Sequence, residues 1–189
     1  NIFHFHLTED IAWRLQSKMY PQLTDAKYMK RNPGEYYSLD EMRELIAYCK
    51  KKYITLIPEI DMPGHSAAFE RAMGVDMQSD SGLVICKNIL TELCRELDVP
   101  YVHVGGDEVK ITYKEFLPQM ISLLKSLEKK VIAWQPGGNT PEGTILQMWI
   151  GDTKPKDNYY SVDSRHLYLN HFDPLDGVVA TYNHQICDV

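Results

Sequence analysis

The chain has 189 residues, 44% hydrophobic and 24% charged, which is enough apolar material for a packed core and too much for a disordered chain. A net charge of -6, with its 20 Lys and Arg scattered rather than gathered on one stripe, disfavours a phosphate-binding surface, so nucleic acid is not an expected partner. No apolar run approaches the ~18–20 residues of a membrane-spanning helix, and the first residues read as a strand without a charged leader.

Short apolar strands alternate with amphipathic helices along the chain, with no linker or low-complexity tract, so residues 1–189 read as one domain. The first strand is IFHFHL (2–7). A helix follows from Ser38, where S-L-D-E predicts a capping box with Glu41 and Met42, Leu45, Ile46 and Cys49 share one face. ITLIPEI (54–60) is the second strand, and Ile89, Leu90, Leu93 and Leu97 mark the stripe of the next helix. YVHV (101–104) precedes a helix carrying Phe116, Leu117, Met120, Ile121, Leu124 and Leu127, with Pro118 in its first turn. VIAW (131–134), TILQMW (144–149) and HLYLN (166–170) complete six candidate strands. The four cysteines, Cys49, Cys86, Cys94 and Cys187, lack C-x-x-C spacing and are expected to be free thiols packed as small hydrophobes.

Six strand–helix units fit either an open doubly wound sheet or most of a (β/α)8 barrel, for which ~250 residues are typical. Position favours the barrel. The strand ends carry His6, Asp61, Asp107, Glu108, Trp134, Trp149 and Asn170, so polar and aromatic groups recur at one rim, where barrel enzymes build their sites. A Rossmann-type sheet would want G-x-G-x-x-G after its first strand, and none occurs. The expectation is an α/β fold, a (β/α)8 TIM barrel of which about six units are present.

The stretch HVGGDE (103–108) ends a strand in two glycines and two adjacent carboxylates. It resembles the catalytic motif of family 20 glycoside hydrolases, the β-N-acetylhexosaminidases, and further segments match in that family's order. NIFHFHLTEDIAWR (1–14) is similar to the family's N-x-x-H-W-H-L-T-x-D-x-x-W-R segment, with Tyr20–Pro21 after it, and IPEIDMPGHSAA (57–68) matches nearly letter for letter. AWQ (133–135), QMW (147–149) and YLN (168–170) continue the resemblance over nearly the whole chain.

The carboxylate pair supports this on its own line. An acid and a nucleophile that flank a glycosidic bond stand ~5–5.5 Å apart on opposite sides of the reacting carbon. Sequence neighbours on one rim can hardly straddle it. Adjacent strand residues also point to opposite faces, so Gly105 and Gly106 are expected to turn the backbone until both acids face one pocket. Such a pair suits one proton donor and one orienting charge. The resemblance implies that the nucleophile is the substrate's own 2-acetamido oxygen.

The resemblance also implies roles. Glu108 would be the general acid and then the base; Asp107 would orient the acetamido group and stabilise the oxazolinium ion. His65, paired with Asp10, would support Glu108. Trp134 and Trp149 would wall the sugar and the acetamido methyl, Tyr168 would donate to the acetamido oxygen, and Asn170 would reach a hydroxyl. No cofactor and no metal are called for. The partner is an oligosaccharide or smaller glycoside with a terminal N-acetylhexosamine; a homodimer is one outcome for the oligomeric state, and an extracytoplasmic compartment is suggested by the family alone. Glu59 and Asp61 share a strand face and are expected to form a buried network, with His4, His6 and His103 in supporting places.

Two rivals remain. The His4-x-His6 pair is how metal-dependent barrel hydrolases hold zinc, which requires convergence within ~2.0–2.2 Å of one ion. A carbohydrate-binding barrel without catalysis is the other. The segment also departs from the family pattern: Asn170 stands where Asp is usual, Ile11 where Gln is usual, and the loop around 74–82 is short. The family's first strand, with its sugar-clamping Arg, and its last, with a further Trp, are not found before Asn1 or after Val189. Weak or no activity of this segment alone is therefore expected, since open sheet edges must be paired or covered.

Overall fold

Six parallel strands form one sheet in the computed structural model, which describes residues 1–165 and 174–183. They are β1 (Ile2–His6), β2 (Thr55–Glu59), β3 (Tyr101–His103), β4 (Lys130–Gln135), β5 (Ile145–Met148) and β6 (Ser161–Asp163). Each pairs with the next, so the spatial order repeats the chain order. A doubly wound sheet reverses its order at a switch point. This sheet never does, and its progression is that of a (β/α)8 barrel, of which six strands are described.

Five of the six expected strands stand within one residue of their expected ends. The sixth described strand is Ser161–Asp163, and the expected strand at 166–170 lies outside the described residues. Three residues with Val162 exposed carry no readable alternation; pairing with β5 is what makes them a strand.

The helices are α1 (Leu39–Lys51), α2 (Ala67–Met73), α3 (Asp80–Glu96), α4 (Phe116–Ser126) and α5 (Pro174–Asn183). The capping box at Ser38 forms as expected, and Leu39, Met42, Ile46 and Cys49 are the buried face of α1. Ser79 caps α3 by accepting the Gly82 N–H. Gly82 itself is demanded by packing, because a Cβ there would stand 2.0 Å from the Asp76 carbonyl oxygen. In α4 Pro118 does sit in the first turn, where its missing N–H costs nothing. None of these helices is long and apolar enough to cross a membrane.

The sheet's two faces do different work. Leu56, Val102, Val131 and Ala133 join Met42, Ile46, Leu90, Leu93, Met120 and Leu124 in one core under the helices. Each such burial of a Val, Leu, Ile or Met is worth roughly 1.5–3 kcal/mol, so this side carries much of the stability. The inner face carries buried Ile57 and Ile132 and, towards the strand ends, polar groups. Register sets His6 beside Glu59 and Glu59 beside His103, and the two-residue period puts His4 and Trp134 on that same side. Cys49, Cys86 and Cys94 are free thiols inside helices, as expected; Cys187 lies outside the described residues.

Candidate active site

Beyond β3 the chain enters Gly105 and Gly106, whose φ angles of +65° and +97° take it out of the strand. Gly105 has no substitute, because a Cβ there would stand 1.7 Å from Asp61 Oδ1. The same oxygen accepts the Gly106 N–H at 3.1 Å. Strand alternation ends here, and the next two side chains turn to one side. His65 Nε2 lies 3.9 Å from Asp107 Oδ2 and 3.4 Å from Glu108 Oε2, so both carboxylates face one imidazole. His65 and Glu108 are themselves left-handed, at φ +45° and +48°. Such backbone costs an L residue about 1–3 kcal/mol and persists where the surroundings over-determine it.

Burial separates the two acids. The Asp107 side chain is 14% exposed and that of Glu108 56%. Burial raises the Asp107 pKa, opposed by its backbone hydrogen bond and the His65 charge and helped by the charges of Glu59 and Glu108. Asp61, fully enclosed, is pushed up to about 7 by burial and by the charges of Glu59 and Asp107. Burial works against a charged His65, but Asp61, Glu9 and Asp107 outweigh it and raise its pKa.

His65 has a different partner from the expected Asp10. Its Nδ1 lies 3.0 Å from Glu9 Oε1, while Asp10 Oδ1 accepts the Ala67 N–H at the start of α2. Asp10 stays in the neighbourhood, with its carboxylate, that of Glu9 and the imidazole all within 4.8 Å. The reason is local: the free N–H groups of a helix start attract the nearer carboxylate, and Asp10 holds that place.

Glu59 is the centre of the expected buried network. Its Oε2 meets His4 Nε2 at 2.8 Å and His6 Nδ1 at 2.9 Å; its Oε1 accepts from Trp134 Nε1 at 2.8 Å, with His103 Nδ1 3.2 Å away. Burial alone would raise its pKa, and the imidazoles of His103, His4 and His6 reverse the direction, keeping it ionised. The rings also pack on one another, His4 on His103 at 4.5 Å and His103 on Trp134 at 4.8 Å between centroids. His103 is driven towards neutrality by its complete burial, with Glu59 opposing.

Trp134 is thus half-buried and placed by a carboxylate at β2. Trp149 follows β5, half-buried, and donates its indole N–H to the Pro136 carbonyl at 3.0 Å. Tyr168 and Asn170 lie outside the described residues. A cavity of about 570 Å3 beside β1 has His6, Glu9, Arg14, Tyr36 and Tyr37 in its wall. It touches the acid cluster through His6 and Glu9 but its wall does not include Asp107 or Glu108, so chemistry rather than volume identifies the site. A second cavity of about 420 Å3 lies against Trp134, Gln135 and Ile150.

Several His and carboxylate sets come within 4.8 Å, among them His4, Glu59 and His103. Two ligands on one tetrahedral ion at ~2.0–2.2 Å stand about 3.3 Å or more apart. The 2.8 and 2.9 Å separations of His4 and His6 from Glu59 Oε2 are closer, at direct ion-pair spacing. The expected zinc rival thus finds its histidines already engaged with a carboxylate.

Comparison with known proteins follows the same residues. The sequence profile described as "Glycosyl hydrolase family 20, catalytic domain" matches residues 1–81. A beta-hexosaminidase of Emericella nidulans is 38% identical over 222 residues, covering 97% of this chain and 34% of the relative. A beta-hexosaminidase of Porphyromonas gingivalis is 29% identical over 205 residues, covering 80% of this chain and 26% of the relative. Among solved structures, beta-N-acetylhexosaminidase from Bacteroides fragilis superposes with a TM-score of 0.70 at 32% identity, covering 79% of this chain and 38% of that one. The chain spans about a third of the length of the relatives it matches. With the profile lying on β1, β2 and the His65 turn, and the relatives running on through the Asp107–Glu108 pair, the chain belongs to glycoside hydrolase family 20.

Proposed function

We propose that this chain carries the catalytic pair of a retaining exo-β-N-acetylhexosaminidase, which removes terminal β-linked GlcNAc or GalNAc with the substrate's acetamido oxygen as nucleophile. The observation that carries the reading is the approach of both carboxylates to His65 Nε2, 3.9 Å for Asp107 and 3.4 Å for Glu108. Two acids presented from one side leave the far face of the sugar without a protein nucleophile, which is the situation a substrate-borne nucleophile resolves.

The division of labour follows from burial. Glu108, the exposed acid, protonates the leaving oxygen and then takes a proton from water as the cyclised intermediate opens. Asp107, the enclosed acid, accepts the acetamido N–H and offsets the positive charge of the oxazolinium ion in a low-dielectric place. His65 lies between them and stabilises Glu108 when it is ionised. The half-buried Trp134 and Trp149 indoles offer rigid apolar walls for the sugar and acetamido methyl, and Tyr168 and Asn170 remain candidates for its polar atoms.

The test is binding of N-acetylglucosamine thiazoline, a mimic of the cyclised intermediate, to the full-length protein by calorimetry. Binding at least ~100-fold tighter than GlcNAc is expected of a transition-state-like ligand. Equal affinity for the two would overturn the substrate-assisted reading and favour a sugar-binding barrel.

A further inference from the structure

Residues 109–115 join Glu108 to α4, and from Thr112 to Glu115 they are exposed. The Glu108 carboxylate has His65 as its one ion-pair partner among the described residues, so its placement depends on the backbone that carries it. Between residues 110 and 113 that backbone is held by one side chain from the start of α3, with Asn139 Nδ2 donating to the Lys114 carbonyl at 2.8 Å just beyond. Gln78 Oε1 accepts the Thr112 N–H at 2.7 Å, the Thr112 hydroxyl at 3.1 Å and the Tyr113 N–H at 3.2 Å, and Gln78 Nε2 donates to the Lys110 carbonyl at 3.3 Å.

The anchor is itself fixed. The Gln78 N–H donates to Asp76 Oδ1 at 2.6 Å, Met77 before it is fully buried, and Ser79 after it caps α3. The turn at Gly64 also comes close to this stretch: a Cβ there would stand 2.7 Å from the Asp107 carbonyl oxygen and 3.2 Å from Val109 Cβ. The chain around Glu108 is thus approached by the Gly64 turn at 107 and 109 and held by four Gln78 bonds between 110 and 113.

We propose that Gln78 is a positioning residue for the proton-transfer step, holding the 110–113 backbone so that the Glu108 carboxyl stands within reach of the leaving oxygen. This rests on Glu108 as the general acid. Misplacement by about 1 Å can cost ~100-fold in such a step, and a carboxylate with His65 as its one ion-pair partner among the described residues depends on its backbone to keep its place. The short segment around 74–82, which departs from the family pattern, acquires a purpose: it brings Gln78 to the loop.

The experiment uses the full-length protein with Gln78→Met, which keeps the volume and removes both polar ends, and Gln78→Glu, which keeps the accepting oxygen. Activity is read on two aryl N-acetyl-β-glucosaminides, one with a dinitrophenolate leaving group that needs no proton and one with an unactivated phenol. Gln78→Met is expected to lose ~10-fold or more in kcat on the unactivated substrate and less than about twofold on the activated one, with Gln78→Glu between Gln78→Met and wild type on the unactivated substrate, because its second oxygen faces the Lys110 carbonyl in place of the amide donor. Amide exchange at Thr112 and Tyr113 should be about tenfold faster in Gln78→Met and less accelerated in Gln78→Glu, which keeps their acceptor. Equal losses on both substrates, or full activity of Gln78→Met, would overturn the positioning role, and unchanged exchange would overturn the clamp. A wild-type protein inactive on both substrates would sink the hydrolase reading and the positioning role with it, while exchange still reports on the clamp.

Discussion

The Trp134 indole N–H donates to Glu59 Oε1 at 2.8 Å, linking β4 to β2 across the intervening β3. The pocket tryptophan is therefore held by the same buried carboxylate that gathers His4, His6 and His103. Removing that acceptor with Glu59→Ala leaves an indole and three imidazoles without it, so a loss of about 3–5 kcal/mol is expected. Urea unfolding of wild type and mutant measures it. A change below about 1 kcal/mol would mean the network is incidental.

Two left-handed glycines offer a matched comparison. At Gly105 an alanine Cβ would collide with Asp61 Oδ1, while at Gly74, φ +72°, it would meet nothing within 4 Å. Gly74→Ala should cost about 1 kcal/mol of backbone strain alone. Gly105→Ala should cost several-fold more, because Asp61 must leave its place as well. Similar melting temperatures for the two variants would refute the proposed close approach.

Glu9 and Asp10 are neighbours with separable duties. Glu9→Gln removes a charge that holds the His65 pKa up, so an NMR titration of His65 should shift downwards. Asp10→Asn keeps an acceptor for the Ala67 N–H and should leave that titration near its wild-type position, whereas Asp10→Ala should cost about 0.5–2 kcal/mol through the helix start. The reverse pattern in the titration would restore Asp10 as the His65 partner.

The contributions of Asp61 and His6 to folding stability both fall as pH rises, while that of His103, its pKa lowered chiefly by burial, grows up to its ordinary 6.5. Asp61 is held at about 7 against an ordinary 3.8, chiefly by burial, so its contribution is full below 3.8 and gone once the pH passes its folded pKa. His6 stands at about 9 against 6.5; burial opposes its charge, but the Glu59 hydrogen bond and the charges of Glu59, Asp61 and Glu9 prevail. Its contribution is full below 6.5 and is lost as the pH rises through 9. Unfolding midpoints should decline between pH 6.5 and about 9, where His103 no longer opposes, and His6→Asn should flatten that decline; Asp61→Asn should remove a falling contribution between 3.8 and about 7. A wild-type midpoint that rises with pH above 6.5 is the contrary result.

Glu108→Gln in the full-length protein should lower kcat by ~10²–10⁴ for leaving groups that need a proton, and little for those that do not. Its side chain is more than half exposed, so stability should stay within about 0.5 kcal/mol. Asp107→Asn should hurt N-acetylated substrates in particular. Comparing aryl glycosides of graded leaving-group pKa decides between the two roles; equal activity of Glu108→Gln and wild type would remove Glu108 as the acid.

Much of this protein is local information. The α1 capping box, the apolar stripes of α3 and α4, the strands β1 to β5 and the paired carboxylates after two glycines all follow from residues within a few positions of one another. Asp10 against Glu9 does not: the family resemblance implies Asp10 as the His65 partner, and only the docking of α2 assigns Asp10 to a helix start and Glu9 to the imidazole. The strand β6 was likewise hidden, since its pairing with β5 rather than its own composition creates it.

Periodicity and strand-end position determined a barrel with two adjacent acids at its rim, because side-chain direction in helices and strands repeats over two to four residues; the resemblance implies their separate roles. Tertiary structure alone decided that Glu59 gathers three histidines and a tryptophan, that Asp61 fills the space a Gly105 side chain would need, and that Gln78 grips the loop after Glu108. Those contacts join segments some 30 to 75 positions apart, where position follows from packing of the whole sheet and no local rule reaches.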